Sequence, residues 1–352
     1  MKKSFVFIFS VLLISILTIS VFSGEPAEEL RRKSYVGGMN KFGFDIFNNI
    51  LETDGIKNTF ISPASISIAL SMVINGADKE TYEAMHETLQ FKNLKLDEIN
   101  EESRLIIKEL QNADKKVELE IANSLWLRKD QSFKKEFLDT NKKYFDATVS
   151  VEDFNDKATV KKINDWVKKS TKKKIEKIID KIESDTIAFL INAIYFKGTW
   201  KSEFDKDDTK EEEFLLINYN KKQHPLMFQE NKFRYVETEN IQAIRLPYGN
   251  DRVSMYVFLP AKDSSMKEFL KDLNYNKYQG WIGLMAEHKV KLKLPKFKCE
   301  YDKTMNDPLK ALGMTIAFNR DKANFGKMCP IPPNVFIQKV QHKTFVEVNE
   351  EG

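Results

Sequence analysis

The chain has 352 residues, of which 42% are apolar and 31% are charged, proportions that suit a globular protein. The formal net charge is +4 at pH 7, and such a balance gives no reason to expect a nucleic-acid partner. The two cysteines, Cys299 and Cys329, are too few for a disulfide framework. Whether they pair with each other depends on a geometry that the sequence does not contain.

Residues 1–23 have the order of features of a secretory signal peptide. Lys2 and Lys3 precede an apolar stretch from Phe5 to Phe22, and small residues end the segment. This order predicts cleavage after the segment and a secreted, extracellular protein. The alternative is a retained membrane anchor, because the apolar stretch is just long enough to span a bilayer. No later stretch reaches that length, so we expect no membrane association after cleavage. The sequence shows no linker and no internal repeat, and apolar segments recur from residue 40 to the end, so we expect a single domain over residues 24–352.

The first strong element is a buried helix that begins after Ser62. The Ser62 side chain can cap the first free N–H groups, and Pro63 stands where its missing N–H costs nothing. Apolar residues surround the helix axis from Ala64 to Ala77, which predicts burial on all sides. Helical periodicity also predicts helices near residues 40–51, 79–89, 98–111, 133–144, 158–170 and 266–273.

Strands are predicted from apolar runs and from alternation. Residues 186–200 give the strongest signal, because the run from Ile187 to Phe196 contains Asn192 as its single strongly polar side chain. Such a run is typical of a central strand covered on both faces. Residues 289–297 alternate lysine with apolar side chains and predict a sheet with one wet face. Further strands are predicted at 117–127, 251–260 and 335–348. Helices and strands mix without a regular βαβ order, which predicts the α+β class.

No constellation of catalytic residues is evident. The chain contains no nucleophile elbow, phosphate-binding loop or dinucleotide-binding turn. A catalytic triad dispersed along the chain would leave no such motif and is the alternative. We predict a protein that is not an enzyme and that uses no metal or other cofactor. The histidines, which share no metal-binding spacing, are His86, His224, His288 and His342.

Asn192 and His342 stand isolated in strongly apolar strands. An unpaired amide or imidazole in a dry interior costs about 1–3 kcal/mol, so each side chain needs a partner. Ser62 and Ser65, at the head of the buried helix, are the candidates for a shared polar cluster. The alternative is that these polar residues are satisfied separately.

Several long segments, taken in order, resemble the serpin family from about residue 36 to residue 352. The segment NTFISPASISIALSMVINGA resembles the family's buried helix, and INDWVKKSTKKKI resembles the helix that lies across the main sheet. INAIYFKGTWKSEFD resembles a central strand and the turn after it, and LPKFK, LGMTIAF and HKTFVEVNEEG follow in the expected order. The resemblance implies three β-sheets, eight or nine helices and a long exposed loop near the C-terminus.

In this family a target protease cleaves the exposed loop, becomes covalently attached, and is carried along as the cut loop inserts into the main sheet. The resemblance therefore implies a monomeric, single-use inhibitor of a serine protease, with a cysteine protease as the alternative target. Two further alternatives are a non-inhibitory serpin that acts as a carrier or chaperone, and a secreted protein that binds heparin or matrix.

The resemblance also assigns roles to individual residues. The shutter, a polar cluster beneath the point where the main sheet opens, is matched by Ser62, Ser65, Asn192 and His342. The breach, where insertion begins, is matched by Trp200 and by Lys296. The start of the hinge that leads into the loop is matched by Glu350, Glu351 and Gly352. Lys296 is expected to pair with Glu350, and an exposed pair of this kind contributes about 0–1 kcal/mol.

The family continues after the hinge with small residues, the scissile bond and further buried strands. The resemblance therefore places the reactive bond outside residues 1–352. Because missing central strands expose apolar faces and unpaired edges, we expect the chain as given to be inactive and incompletely folded. An incomplete gene model, a constant region before a variable final exon, and a real truncation are the three explanations that fit.

One side of the helix predicted near residues 158–170 is rich in lysine. This side predicts binding of a sulfated polysaccharide, and the alternative is a solvated face in a lysine-rich protein. Lysines at 172–174 also stand where the family often has glycine, so the turn after the helix is expected to differ. The lysines of the predicted polyanion site are Lys161, Lys162, Lys168, Lys169 and Lys172.

Overall fold

The computed structural model describes residues 26–352 except Ile56, Asp185, 218–219, 262–264 and Pro333. The predicted signal peptide lies outside the described residues. The helices are α1 (Pro26–Asp54), α2 (Pro63–Ile74), α3 (Lys79–Thr88), α4 (Leu96–Gln111), α5 (Lys135–Phe145), α6 (Lys157–Ser170), α7 (Met266–Asp272), α8 (Tyr275–Leu284) and α9 (Asn306–Leu309). The strands are β1 (Val117–Arg128), β2 (Thr148–Glu152), β3 (Ala188–Gly198), β4 (Lys210–Leu215), β5 (Lys221–Glu237), β6 (Ile241–Tyr248), β7 (Val253–Pro260), β8 (Ala286–Pro295), β9 (Phe297–Thr304) and β10 (Gln341–Val348).

The described strands form three sheets. In the first sheet β1 lies in the middle, parallel to β2 and antiparallel to β3. The second sheet is the antiparallel pair of β9 and β10. In the third sheet the long strand β5 pairs with β4, β6 and β8, and β6 pairs with β7. Within the described residues, we find no helix that has both the length and the apolar character of a membrane span.

Helix α2 lies in the main core and packs against β3. It begins as the sequence predicts: the Ser62 hydroxyl accepts a hydrogen bond from the N–H of Ser65 at 3.3 Å, and Pro63 occupies the first helical position. Ile68, Leu70 and the neighbouring apolar side chains are buried on all sides of the helix. The burial of α2 therefore places the head of the helix, with its serines, under the first sheet.

Helix α6 covers the opposite face of the first sheet. Its apolar residues Ile163 and Val167 are buried against Trp126 of β1 and Ile191 of β3. The side chains of Trp126 and Trp166 meet edge to face, with their ring centroids 6.3 Å apart. This packing confirms the amphipathic helix predicted near residues 158–170, and it leaves β3 covered by a helix on each face.

A second core lies where the third sheet meets the pair of β9 and β10. Leu292 and Leu294 point into it from β8, as the alternation of lysine with apolar residues predicts. Cys299 belongs to this core, whereas Cys329 belongs to the main core. Both thiols are free and buried, so the question that the sequence left open is answered: the two cysteines do not pair in this structure.

Two predicted boundaries differ from the structure. Helix α1 begins at Pro26 rather than near residue 40, because its first turns are held by α4: Arg31 and Arg32 both form ion pairs with the buried carboxylate of Glu102. In the segment 335–348 the strand starts only at Gln341. The residues before it line a cavity instead of pairing with a neighbouring strand.

Candidate functional site

The candidate site is a gap between the first and second sheets. No strand pairing joins β3 to β10 in the part of the chain that the structure describes. We call the gap between β3 and residues 334–348 the seam, and its lower half, between residues 186–192 and residues 334–342, is a cavity of about 430 Å³. Its floor is α2, which contributes Ile66 and Leu70, and its outer cover is the segment after α6, with Ile178 and Ile179. β3 was expected to be a central strand, but here its second edge faces the seam.

The upper end of the seam is closed around Trp200, the residue matched to the breach. The indole N–H of Trp200 donates to the carbonyl of Asn349 at 2.9 Å, and its backbone N–H donates to the carbonyl of Glu351 at 2.8 Å. Only 2% of Trp200 is exposed, and its ring stacks on Tyr248 with centroids 4.2 Å apart. The residues matched to the hinge are therefore held against the end of β3.

The expected pair of Lys296 and Glu350 is present at this upper end. The Lys296 ammonium lies 2.8 Å from Oε2 of Glu350, and the Thr209 hydroxyl donates to Oε1 at 2.8 Å. Burial raises the pKa of Glu350, but the hydrogen bonds from Lys296 and Thr209 outweigh it and hold that pKa below its ordinary value. Glu350 is only 4% exposed, so the pair is more buried than the surface pair that the sequence led us to expect.

The other two hinge residues lie beside Glu350. The exposed carboxylate of Glu351 pairs with Lys206 at 2.8 Å, and this hydrogen bond lowers its pKa. Gly352 lies so close to Gly198 that a Cβ at position 352 would collide with the Gly198 carbonyl oxygen. A glycine is therefore required for this approach of the hinge to the top of β3.

The residues matched to the shutter meet at the middle of the seam. The Ser65 hydroxyl donates to Oδ1 of Asn192. The backbone N–H of Ser62 donates to Nε2 of His342 at 3.0 Å. Asn192 and His342 both line the seam, and no hydrogen bond joins them directly among the contacts of the described residues. The structure thus brings the predicted residues together as two bonded pairs at the head of α2.

Burial determines the state of His342. The imidazole is 6% exposed, and its loss of hydration lowers the pKa to about 4, against the opposite effect of the Asp302 carboxylate. The ring is therefore neutral at pH 7, with Nε2 free to accept the hydrogen bond from Ser62. Protonation of this nitrogen would remove that acceptor.

Asn123 belongs to the same network and was not predicted. It lies directly opposite Asn192 in the β1–β3 register, and the amide of Asn192 donates to Oδ1 of Asn123 at 2.7 Å. The amide of Asn123 in turn donates to the carbonyl of Phe145 at 2.7 Å. The sequence contains a signal that could have identified Asn123, because it is a polar residue inside the apolar part of β1, as Asn192 is in β3.

The lower end of the seam carries two contacts that the sequence did not indicate. The Thr186 hydroxyl donates to Oε1 of Gln338 at 2.9 Å and so joins the two sides. Beside it the buried guanidinium of Arg128 donates to the carbonyls of Thr186 and Ser184, at 2.6 and 2.9 Å. The seam is thus bounded by polar contacts above and below.

The lysines of the predicted polyanion site lie on the solvent side of α6 and, for Lys172, in the turn after it, but most are paired within the molecule. Lys161 pairs with Asp165 along the helix. The others bind carboxylates of neighbouring elements: Lys162 with Glu152, Lys168 with Glu176 and Lys172 with Glu118. Lys169 has no carboxylate partner among the described residues. These pairs favour the alternative of a solvated, largely neutralised face.

The turn after α6 forms although lysines stand where glycine is favoured. The backbone N–H of Lys173 donates to the carbonyl of Lys168 at 2.7 Å, and that of Lys172 to the carbonyl of Lys169 at 3.2 Å. This is the hydrogen-bond pattern of a Schellman motif, which needs a left-handed residue after the helix. Lys172 and Lys173 have φ values of 48° and 68°, so both adopt the left-handed conformation.

Comparison with known proteins gives consistent matches. The family model described as "Serpin (serine protease inhibitor)" matches residues 37–352. Serpin B6 of Macaca fascicularis is 35% identical over 316 residues, which cover 86% of this chain and 84% of the relative. The native state of the thermophilic serpin tengpin has a TM-score of 0.82 at 33% identity and covers 94% of this chain and 83% of its own. Cleaved kallistatin complexed with heparin has a TM-score of 0.84 at 25% identity, with 90% and 94% of the two chains covered.

These matches confirm the predicted α+β fold, which has nine α-helices and three sheets in the described residues. The description of the family is that of an inhibitor rather than an enzyme, as the sequence predicts. The chain belongs to the serpin family.

Proposed function

We propose that this serpin inhibits a serine protease by inserting a cleaved loop as a strand into the seam. The observation that carries the proposal is the gap between β3 and the segment 334–348, which no strand pairing bridges in the part of the chain that the structure describes and which is an open cavity between residues 186–192 and 334–342. Unpaired strand edges are templates for an added strand, since their N–H and C=O groups gain partners. Both faces of such a strand would also be covered, by α2 beneath and by the segment after α6 above.

The chain direction supports insertion from the upper end. β3 runs from Ala188 towards Trp200, and β10 runs from Gln341 towards Asn349, so the two strands point the same way. A segment that continued from Gly352 and turned back would enter between them antiparallel to both. Antiparallel pairing with two neighbours would give that segment a full set of backbone hydrogen bonds.

The test is covalent capture of a protease. We propose that the reactive bond lies beyond Gly352, so for the test residues 24–352 are joined to the reactive loop and C-terminal strands of a serpin that inhibits trypsin-like enzymes. We expect an adduct with trypsin that survives SDS. In the matched control, alternate small residues near the hinge are replaced by proline, which cannot donate to a strand ladder, and we expect cleavage without an adduct.

The outcomes separate the candidate functions. Cleavage without an adduct in the parent chimera would contradict inhibition and favour a carrier or chaperone. A serine-protease adduct that appears equally in the proline control would contradict insertion into the seam as its cause.

We further propose that the protein is secreted. The support is the sequence of residues 1–23, with Lys2 and Lys3 before the apolar stretch. Expression in a secretory host should release a protein whose N-terminal peptide begins at Gly24, as read by mass spectrometry of the medium. Retention in the membrane fraction with Met1 intact would instead support the anchor.

For a sulfated polysaccharide we propose weak binding at the lysine face of α6. The similar protein kallistatin forms a complex with heparin in its cleaved state, and Lys161 is 79% exposed here, but internal carboxylates compete for most of these lysines. We expect elution from immobilised heparin at or below about 0.15 M salt. Replacing Glu118 and Glu176 by glutamine should release Lys172 and Lys168 and delay elution. Unchanged elution of that variant would exclude this face as the binding site.

A further inference from the structure

Arg128 at the lower end of the seam is a buried cation, and among the described residues no carboxylate lies within hydrogen-bond distance of it. Its side chain is 9% exposed, and its nearest carboxylate in the described residues is that of Asp130, 4.0 Å away and itself 61% exposed. The Asp153 carboxylate in the same region is already bound by Lys129 at 2.8 Å. Burying an arginine this far normally requires an anionic partner or a full set of acceptors.

The acceptors present satisfy only part of the guanidinium. The guanidinium has five N–H groups. The one on Nε donates to the carbonyl of Thr186, and one of the two on Nη2 donates to the carbonyl of Ser184. Its cationic carbon also lies 5.3 Å from the centre of the Phe154 ring. Arg128 lines the seam together with Thr186 and Gln338, so donors remain at a wall of the cavity. A planar guanidinium is well suited to bind a carboxylate through two parallel hydrogen bonds.

The position of Arg128 matches the end of an inserted strand. The distance from Gly198 at the top of β3 to Thr186 corresponds to a strand of about twelve residues at roughly 3.3 Å per residue. A strand that enters beside Trp200 and runs antiparallel to β3 would therefore bring its carboxyl end to the level of Thr186 and Arg128. That end carries a carboxylate only after the loop has been hydrolysed.

We propose that Arg128 forms a carboxylate subsite at the lower end of the seam, which binds the free C-terminal carboxylate of a peptide strand inserted there. The inference rests on the proposed function, because it requires that a strand enters the seam. The proposed subsite would distinguish two forms of a cleaved loop: the acyl form, which is still bonded to the protease, and the hydrolysed form, which ends in a free carboxylate. In the acyl form the carbonyl carbon is esterified to the protease hydroxyl. Hydrolysis breaks that ester with water, returns the hydroxyl to the protease and leaves a carboxylate, which only then can pair with Arg128.

The test compares two synthetic peptides of about twelve small and β-branched residues, identical except for a free carboxylate or a carboxamide at the C-terminus. Binding to the protein is measured by fluorescence anisotropy with a dye at the peptide N-terminus. We expect the carboxylate to bind about tenfold more tightly than the amide, the factor expected for a hydrogen bond to a charged group. Arg128→Gln should remove this preference, whereas Lys129→Gln, at the neighbouring exposed lysine, should leave it unchanged.

The ratio of the two affinities separates this role from a merely structural one. If Arg128 only holds the turn at Thr186, its replacement will lower the affinity of the protein for both peptides by the same factor. Equal affinities in the parent protein, or a preference that survives Arg128→Gln, would overturn the subsite while leaving strand insertion intact. If neither peptide binds, insertion itself fails and the subsite fails with it.

Discussion

The ammonium of Lys296 lies 2.8 Å from the carboxylate of Glu350, and the two side chains are 38% and 5% exposed. The contact joins the end of β8 to the first residue matched to the hinge. Because Glu350 is the buried partner, the consequences of losing either residue are unequal: without the cation a carboxylate is left in the interior, and without the carboxylate the ammonium can turn to water.

Lys296→Met should therefore destabilise the protein by about 1–3 kcal/mol, the penalty for a buried charge that loses its donor. Urea unfolding at pH 7 measures the change. Lys298→Met is the matched control, because Lys298 is 59% exposed and its partner Glu300 is 64% exposed; we expect an effect within about 0.5 kcal/mol. Combining Lys296→Met with Glu350→Gln should recover part of the loss. No recovery would show that the buried charge is not the cause.

The neutral state of His342 predicts a dependence of stability on pH. Its pKa in the folded protein is lowered to about 4 by burial, while the ordinary value is about 6.5. Between these values the unfolded chain binds more protons than the folded one. The contribution is therefore fully present above pH 6.5 and is lost as the pH falls towards 4, by up to about 1.4 kcal/mol per pH unit.

His342→Gln should flatten this part of the curve, measured by urea unfolding at intervals from pH 7.5 to pH 4.5. His288→Gln serves as the control, since His288 is exposed on β8, and we expect it to keep the slope of the parent. A slope that persists in His342→Gln would mean that another group is responsible for acid sensitivity in this range.

The hydrogen bond between Asn123 and Asn192 predicts energetic coupling between β1 and β3. Each replacement by alanine leaves the other amide without this partner, so each should cost about 1–3 kcal/mol. The double variant should be more stable than the sum of the two losses implies, by about 0.5 kcal/mol or more. Asn112, whose exposed side-chain amide donates to the carbonyl of Lys108 in the preceding helix, provides the control: its change to alanine should add independently to that of Asn192. Strict additivity in the first pair would refute the coupling.

The left-handed conformation of Lys173 predicts a stabilising substitution. A lysine in this conformation is strained by about 1–2 kcal/mol relative to glycine, although glycine also loses more entropy on folding. We expect Lys173→Gly to stabilise the protein by about 0.5–1 kcal/mol. Lys169→Gly, inside the last turn of α6, should instead cost about 1 kcal/mol. Thermal unfolding measures both, and a loss of stability in Lys173→Gly would contradict the strain argument.

The local signals in the sequence predicted part of the site. The start of α2 was predictable because a capping serine, a following proline and apolar residues on every side act within one helix. Asn192 and His342 stood out because a polar side chain in an apolar strand needs a buried partner. Asn123 could have been found by the same reasoning, but only once β1 and β3 are paired in register does it lie opposite Asn192.

Other features have no local signal. Strand β5 is 17 residues long and mostly half-exposed or exposed, so it lacks the alternation that predicts a strand, and its conformation is stabilised by pairing with three neighbours. Arg128 and Glu350 are charged residues at or just beyond the ends of β1 and β10, where charged side chains are usually exposed, so their burial has no signal in the sequence.

The sequence alone determined the apolar character of β3, the buried helix beneath it and the polar residues that interrupt both, because these depend on side chains close together in the chain. Only the tertiary structure decided that one edge of β3 stays unpaired beside β10 and that Arg128 lies at the end of the resulting cavity. The reason is physical: strand pairing and burial here join segments that lie far apart in the chain, as Arg128 and Thr186 do at a separation of 58 residues, and their free energy depends on the packing of the whole molecule rather than on any one stretch.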